Sequence, residues 1–245
     1  MQKMDKVSIA AVLNEPDTSV GEVATRIPAA KNAFEHLGID FCCGGRMTVA
    51  AACRRQGLDP QMVYQELAAV GRQPSPQREN FAEWDLPSLI DHIVATHHAY
   101  LWANDPRILE HARKSAQAHG SNHPEMAEIA ALFEKIAADM EGHLKEEEEV
   151  FFPAVKRLYG GSLDKQAAGQ ERALIRASLA RLHREHEEVG DAVHRIRRLS
   201  GGYGIPADAC NTYALTYRQL KEFEEDLHKH VHLENNILFL KAAQL

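Results

Sequence analysis

Two segments of this chain carry the same pair of residues that can bind a metal ion. In GHLKEEEEVFFPAVKRL, His143 is followed four residues later by Glu147, and in KHVHLENNILFLKAAQL, His230 is followed by Glu234. Residues four apart share one face of a helix. Each pair can therefore present an imidazole and a carboxylate to the same ion.

Spacing alone is weak evidence, because a chain with 14 histidines also forms such pairs by chance. A third pair, His183 and Glu187, lies off the apolar stripe of its helix and is interpreted as a surface pair. The two repeated pairs instead fall within apolar stripes spaced three and four residues apart, which bundle helices bury. A buried carboxylate needs a compensating partner, since its desolvation is costly. A metal ion shared between helices would provide it.

Four long helical patterns must position these side chains, and short segments rich in turn residues separate them. They predict an all-α fold in which residues 81–245 form an up-down-up-down four-helix bundle. A polar segment with two prolines, residues 71–80, reads as a linker to a small helical N-terminal domain in residues 1–72. The predicted bundle helices are Asp85–His119, Asn122–Tyr159, Gln166–Ser200 and Pro206–Ala243.

The first and third helices must supply the remaining ligands. His186 lies in the apolar stripe of the third helix. Periodicity in the first helix leaves three candidates open, which are His92, His97 and His98. The pairing of the two halves favours His98, because 45 residues separate His98 from His143 and 44 separate His186 from His230. The pattern predicts two similar hairpins that each give a lone histidine and a His–Glu pair.

The donor atoms indicate which metal such a site would hold. Nitrogen and oxygen ligands without a cysteine in the apolar stripes argue against a structural zinc site. Imidazoles and carboxylates in the core of a four-helix bundle suit iron, and two carboxylates can bridge two ions. A dinuclear non-haem iron site is therefore favoured, with zinc and manganese as alternatives on affinity alone.

The four cysteines do not form the framework of a secreted disulfide protein. Cys42 and Cys43 precede Gly44–Gly45 and a helix expected to begin near Thr48, where a thiol pKa is lowered and a reactive thiolate is favoured. The alternative is a tight turn in which the cysteines only pack. Cys53 and Cys210 are interpreted as structural.

Composition excludes several classes of function. The net charge of −7 argues against nucleic-acid binding. No apolar run approaches the roughly 20 residues of a membrane span. The first 20 residues lack the features of a signal peptide. The expected location is the cytoplasm.

Several segments in combination resemble one protein family: DFCCGGRMT, DHIVATHH, HLKEEEEVFFP, REHEEVG and HVHLENNILF. The second part of the chain is similar to hemerythrin-like domains, and the whole chain resembles the iron–sulfur cluster repair di-iron proteins, the RIC family. The resemblance implies two non-haem iron ions bridged by two glutamates, with an oxo or hydroxo bridge as an option. It implies this ligand set: His98, His119, His143, Glu147, His186, His230 and Glu234. The family has one ligand histidine near the junction of the first two helices, and here His119 or His123 could fill that position. His119 is preferred because His123 adjoins Pro124.

The resemblance also implies a function, namely repair of iron–sulfur clusters damaged by nitrosative or oxidative stress, by donation of iron. The alternatives are a di-iron protein that binds or reduces nitric oxide, which would make it an enzyme, and an oxygen carrier or sensor. The expected partners are damaged iron–sulfur proteins or the cluster assembly machinery, with nitric oxide or oxygen as small ligands and a homodimer left open. Cys42 and Cys43 are candidate redox or transfer thiols. Glu185, next to His186, is a candidate for a residue that contacts the metal ligands without binding the metal itself.

Overall fold

The described part of the chain, residues 17–72 and 80–245 of a computed structural model, is helical throughout. Within it no strand is present, and the only β pairing is an isolated bridge between Ser19 and Thr48. The prediction of an all-α fold is confirmed. Most of the predicted linker, residues 73–79, lies outside the described residues, as do residues 1–16.

The chain forms two compact units. The first contains Met1–Trp84 and Val231–Leu240, and the second contains Asp85–His230 and Lys241–Leu245. The sequence-based division at residues 72 and 81 stays a prediction. The predicted division assigns the whole last helix to the bundle, whereas its residues Val231–Leu240 belong to the first unit.

Within residues 17–72, the first unit contains four short helices: α1 Val20–Arg26, α2 Ala30–His36, α3 Val49–Gln56 and α4 Pro60–Arg72. Ser19 and Thr48 begin α1 and α3 by accepting hydrogen bonds from the backbone N–H groups of Glu22 and Ala51. Phe34 and Phe41 are buried, with ring centroids 6.5 Å apart. A 3₁₀ turn, Phe81–Glu83, precedes the bundle.

Four long helices form the bundle, as the sequence predicts. Helix α5 consists of Leu86–Ile93, a π turn at Val94–His98, and Ala99–His119. Helix α6 consists of Glu125–Glu146, a π turn at Glu147–Phe151, and Phe152–Tyr159. Helix α7 is Lys165–Leu199, and helix α8 runs through Asn211–Leu233, a π turn at Glu234–Leu238, and Phe239–Ala242. Short connections make consecutive helices antiparallel.

The helix boundaries follow from local chemistry. Asp85 and Asp164 begin α5 and α7 by accepting hydrogen bonds of 2.8 Å from backbone N–H groups. Helix α6 begins at Glu125, three residues later than predicted, because Pro124 occupies the capping position. Helix α8 begins at Asn211 instead of Pro206, since Pro206 takes part in a turn that ends at Ala209.

The apolar stripes predicted from the sequence are buried and pack between helices. Phe133 of α6 meets Phe223 of α8 edge to face, with ring centroids 5.0 Å apart. Near one end of the bundle, the hydroxyls of Ser115 and Thr216 are 3.0 Å apart in the interior. This close packing fixes the facing positions of α5, α6 and α8 and thereby the residues that lie between them.

Candidate metal centre

Six of the predicted ligands form two adjoining groups that are buried between the helices. Both groups contain Glu147 and Glu234, and the ligand atoms of each group lie within 4.8 Å of one another. One group adds His98 and His230; the other adds His143 and His186. All six side chains are buried, and both glutamates have no exposed surface.

The distances within the bundle place one carboxylate oxygen between two imidazoles. Oε2 of Glu147 is 3.4 Å from Nε2 of His98 and 3.4 Å from Nε2 of His143. Nε2 of His186 is 3.0 Å from Nε2 of His143. Nitrogen and carboxylate oxygen atoms that converge in this way suit a cation, which would offset the cost of burying the charged carboxylates.

Each of the three π turns adjoins a residue of these groups. His98 ends the first π turn, while Glu147 and Glu234 begin the second and third. A π turn holds one residue more than an α turn, and such turns are frequent at functional sites. A regular spacing of three and four residues from His143 and Glu147 would bury Val150. The extra residue of the π turn shifts this register, so that Val150 is half-exposed and Phe151 is fully buried.

In two of these histidines, the ring nitrogen Nδ1 lies within hydrogen-bond distance of a carboxylate. Nδ1 of His98 is 2.8 Å from Glu148, which also accepts a hydrogen bond from the indole of Trp102. Nδ1 of His143 is 2.8 Å from Glu185. This hydrogen bond is the main cause that lowers the pKa of the Glu185 carboxyl. In both cases the carboxylate orients the ring so that Nε2 faces the interior, as carboxylates commonly do for metal-binding histidines.

The sequence predicts a role of this kind for Glu185 but none for Glu148. The structure gives different contacts to the neighbouring glutamates of the run Glu146–Glu149. Glu147 points inward, Glu148 holds His98, and Glu146 forms an ion pair with Arg181. Little in the local sequence distinguishes Glu148 from its neighbours, because its contact with His98 joins residues 50 apart on two helices.

The other histidines of the first helix have different surroundings. His97 is buried and its Nδ1 is 3.0 Å from the carboxylate of Asp226, while its ring stacks on His230 at 5.7 Å. His92 is half-buried near Thr96. Of the three candidates that periodicity leaves open, His98 is the one that belongs to a ligand group.

The structure places His119 outside both groups. Its ring lies against Tyr213, with centroids 5.3 Å apart, and near His123. His123 contacts Asp208 and Glu125 at 3.0 Å each, and these hydrogen bonds raise its pKa. His119 is the last residue of α5 and His123 lies beyond it, so both are far along the helix from His98 and away from the converging ligand atoms.

The Cys-Cys-Gly-Gly segment forms a turn around Asp40. The Asp40 carboxylate accepts hydrogen bonds from the backbone N–H groups of Cys42, Cys43 and Gly44 at 2.9–3.0 Å. Within the same unit, a Cβ added at Gly45 would lie 2.7 Å from Asn236 and 2.8 Å from the carbonyl of Phe41. The second glycine is therefore required by close approach.

Cys42 differs from the expectation of a lowered thiol pKa. Helix α3 begins after Thr48, five residues beyond Cys43, so neither thiol belongs to its first turn. The hydrogen bond with Cys43, burial and the nearby Asp40 raise the pKa of Cys42 well above its usual value. The two sulfur atoms are 3.8 Å apart, and no disulfide joins them.

The fold and the buried groups indicate a class of protein, a helical bundle whose clustered histidine and glutamate side chains could hold a cation. Residues 88–242 match the family model described as Hemerythrin HHE cation binding domain. Residues 16–71 match the model described as Domain of Unknown function (DUF542). No helix of the described residues has the length and apolar character needed to cross a membrane.

Similarity to curated proteins extends over nearly the whole chain. The chain is 30% identical over 229 residues to Iron-sulfur cluster repair protein ScdA of Staphylococcus haemolyticus, covering 93% of this chain and 98% of that protein. It is 31% identical over 228 residues to Iron-sulfur cluster repair protein YtfE of Musicola paradisiaca, covering 93% and 97%. The YtfE protein of Escherichia coli O157:H7 is 29% identical over 226 residues, covering 92% and 96%. The chain belongs to this family of iron–sulfur cluster repair proteins.

Proposed function

We propose that this protein helps to repair damaged iron–sulfur clusters and that its bundle holds a pair of iron ions. The observation that carries the proposal is the pair of buried groups that share Glu147 and Glu234. The names of the relatives support the repair function. Two shared carboxylates between two sets of histidines suit a carboxylate-bridged dinuclear site better than a single ion.

The proposed ligands are the six members of the two groups, with a matching role for each half of the bundle. Glu147 and Glu234 would each bind both iron ions. His98 and His230 would bind one ion, and His143 and His186 the other. His119 is left out of this proposed set because it lies against Tyr213. Bound iron would supply redox chemistry and the capacity to bind small diatomic ligands.

The chain's own residues would control how firmly the iron is held. Glu148 and Glu185 fix the two imidazoles of His98 and His143 through their Nδ1 atoms. Glu148 is about one third exposed and Glu185 slightly more. Because both carboxylates reach solvent, they connect the buried ligands to the surface. This arrangement suits iron that serves as cargo and leaves the protein for a damaged cluster.

A Glu148→Ala variant is expected to bind iron about 10- to 100-fold more weakly than the wild type. The reason is that His98 loses the carboxylate that orients its ring, and outer partners of metal ligands typically contribute this much affinity. Anaerobic competition with a ferrous chelator measures the change. The neighbouring Glu149, which is exposed, gives the matched control Glu149→Ala. Equal affinities in the two variants would contradict the role of Glu148.

Repair is tested with a hydratase whose four-iron cluster has lost one iron. Its three-iron cluster is first reduced, so that uptake of one ferrous ion restores the four-iron form without a further electron. The iron-loaded protein is expected to restore hydratase activity faster than the same concentration of free ferrous iron with a competing chelator present. Restoration no faster than this control would contradict iron donation.

The alternative, reduction of nitric oxide, is measured in parallel. The reduced iron-loaded protein is exposed to nitric oxide under anaerobic conditions, and nitrous oxide is quantified in the headspace. Donation predicts less than one nitrous oxide per iron pair, whereas an enzyme would release many. Multiple turnovers together with slow hydratase repair would favour the enzymatic function.

A further inference from the structure

A second cluster of metal-binding side chains lies in the bundle outside the six residues described above. His194 on α7 and Glu224 and His228 on α8 have ligand atoms within 4.8 Å of one another. All three belong to the second unit. We infer that this cluster is a separate site for one divalent first-row transition metal ion, bound by two imidazoles and one carboxylate.

The carboxylate is the strongest indication. Glu224 has no exposed surface, and its Oε1 atom accepts no hydrogen bond from the described residues. Nε2 of His228 lies 3.9 Å from this oxygen, beyond hydrogen-bond distance. A buried carboxylate oxygen that faces an imidazole at this distance has the room and the charge to accept a cation.

Arg197 provides the competing explanation, since its Nε donates to Oε2 of Glu224 at 2.9 Å. This ion pair uses only one of the two carboxylate oxygens. The other oxygen is directed toward the histidines. The hydroxyl of Tyr203 is also near, and burial, followed by the negative charge of Glu224, raises the pKa of that hydroxyl. Arg197 therefore leaves the Oε1 atom of Glu224 without a hydrogen-bond donor from the described residues.

The two histidines complete a set of three donors from two helices. The ring centroids of His194 and His228 are 6.0 Å apart with an interplanar angle of 61°. Two histidines and one carboxylate with open positions are typical of ferrous sites, and the same donors accept zinc. Two ligands of one tetrahedral ion are about 3.4 Å apart, so the 3.9 Å separation needs only a small side-chain rotation.

The cluster is distinct from the proposed iron pair. His194 follows His186 by eight residues, or ~12 Å along the helix axis, and Glu224 precedes His230 by six residues, or ~9 Å. His194 is half-buried and Arg197 is partly exposed, so the cluster adjoins solvent. An ion bound there would be reached without passing through the buried pair.

The site is tested by anaerobic equilibrium dialysis of the full chain against ferrous iron. The wild type, already loaded at its buried pair, is expected to bind about one further equivalent. A variant with His194→Gln and His228→Gln should lose that equivalent and keep the buried pair. The matched control replaces two histidines outside all the clusters, His36→Gln and His183→Gln. This control should still bind the further equivalent of iron. Retention of the further equivalent by the His194/His228 variant, or its absence in the wild type, would overturn the inference.

A second measurement does not depend on the folding of a variant. Crystals of the wild type are soaked anaerobically in ferrous iron, and anomalous difference density is measured at the iron edge. A peak between His194, Glu224 and His228 supports the site, and no peak at that position overturns it. The inference also stands apart from the proposed function, because Glu147→Gln should leave this peak unchanged while it removes density at the buried pair.

Discussion

A Glu147→Gln variant is expected to purify with well under one iron at the buried pair, compared with about two at that pair in the wild type. Glu147 lies between His98 and His143 and belongs to both ligand groups. An amide has nearly the same shape as a carboxylate but carries no charge, so it would not bridge two cations. Its replacement should therefore empty both positions instead of one. Metal analysis of anaerobically purified protein measures the effect.

The chain supplies a matched control for this variant. His183 and Glu187 have the same four-residue spacing as the proposed ligand pairs, and Glu187 is exposed. A Glu187→Gln variant should keep about two irons at the buried pair. If Glu147→Gln also keeps a coupled iron pair, Glu147 is not a bridge, and the proposed arrangement of the ligands is incorrect.

Removal of the metal is expected to lower the melting temperature by roughly 8–16 °C. An ion present at about 1,000 times its dissociation constant stabilises the folded state by ~4 kcal/mol. In a unit of 150–250 residues, each kcal/mol shifts the melting temperature by about 2–4 °C. Without the cation, the fully buried carboxylates of Glu147 and Glu234 lose their compensating charge. Calorimetry before and after dialysis against a chelator measures the difference.

The same experiment on Glu147→Gln serves as its control, because a variant that holds little iron should respond little to the chelator. Acidification should act in the same direction as chelation, since protons compete with metal for imidazole and carboxylate ligands. An unchanged melting temperature in wild-type protein that has demonstrably lost its metal would show that the ion does not stabilise the bundle.

The sequence was sufficient to predict the bundle because its signals are local. Asp85 and Asp164 cap helices, and the apolar stripes of α6 and α8 repeat over many turns. The same periodicity placed His143 and Glu147 in the interior. The choice of His98 came from the equal spacing of two hairpins, a symmetry that the two ligand groups also show.

Other features depend on tertiary structure and left little local signal. The π turns shift the register by one residue, so a strict α-helical period placed Val150 where Phe151 is buried. The role of Glu148 depends on the distance between α5 and α6. The pKa of Cys42 depends on burial and on Asp40, which a rule about helix N-termini does not include. Each difference arises from a neighbour that is distant in sequence or from a backbone irregularity.

Metal content per chain, with a Mössbauer spectrum of protein enriched in iron-57 and purified anaerobically, tests the central claim most directly. The proposal predicts about two irons per chain in the buried pair, with the spectrum of a coupled dinuclear site. One zinc ion or no metal would contradict it. The buried carboxylates of Glu147 and Glu234 would then need another explanation, and the proposed mechanism of repair would fail with the iron pair.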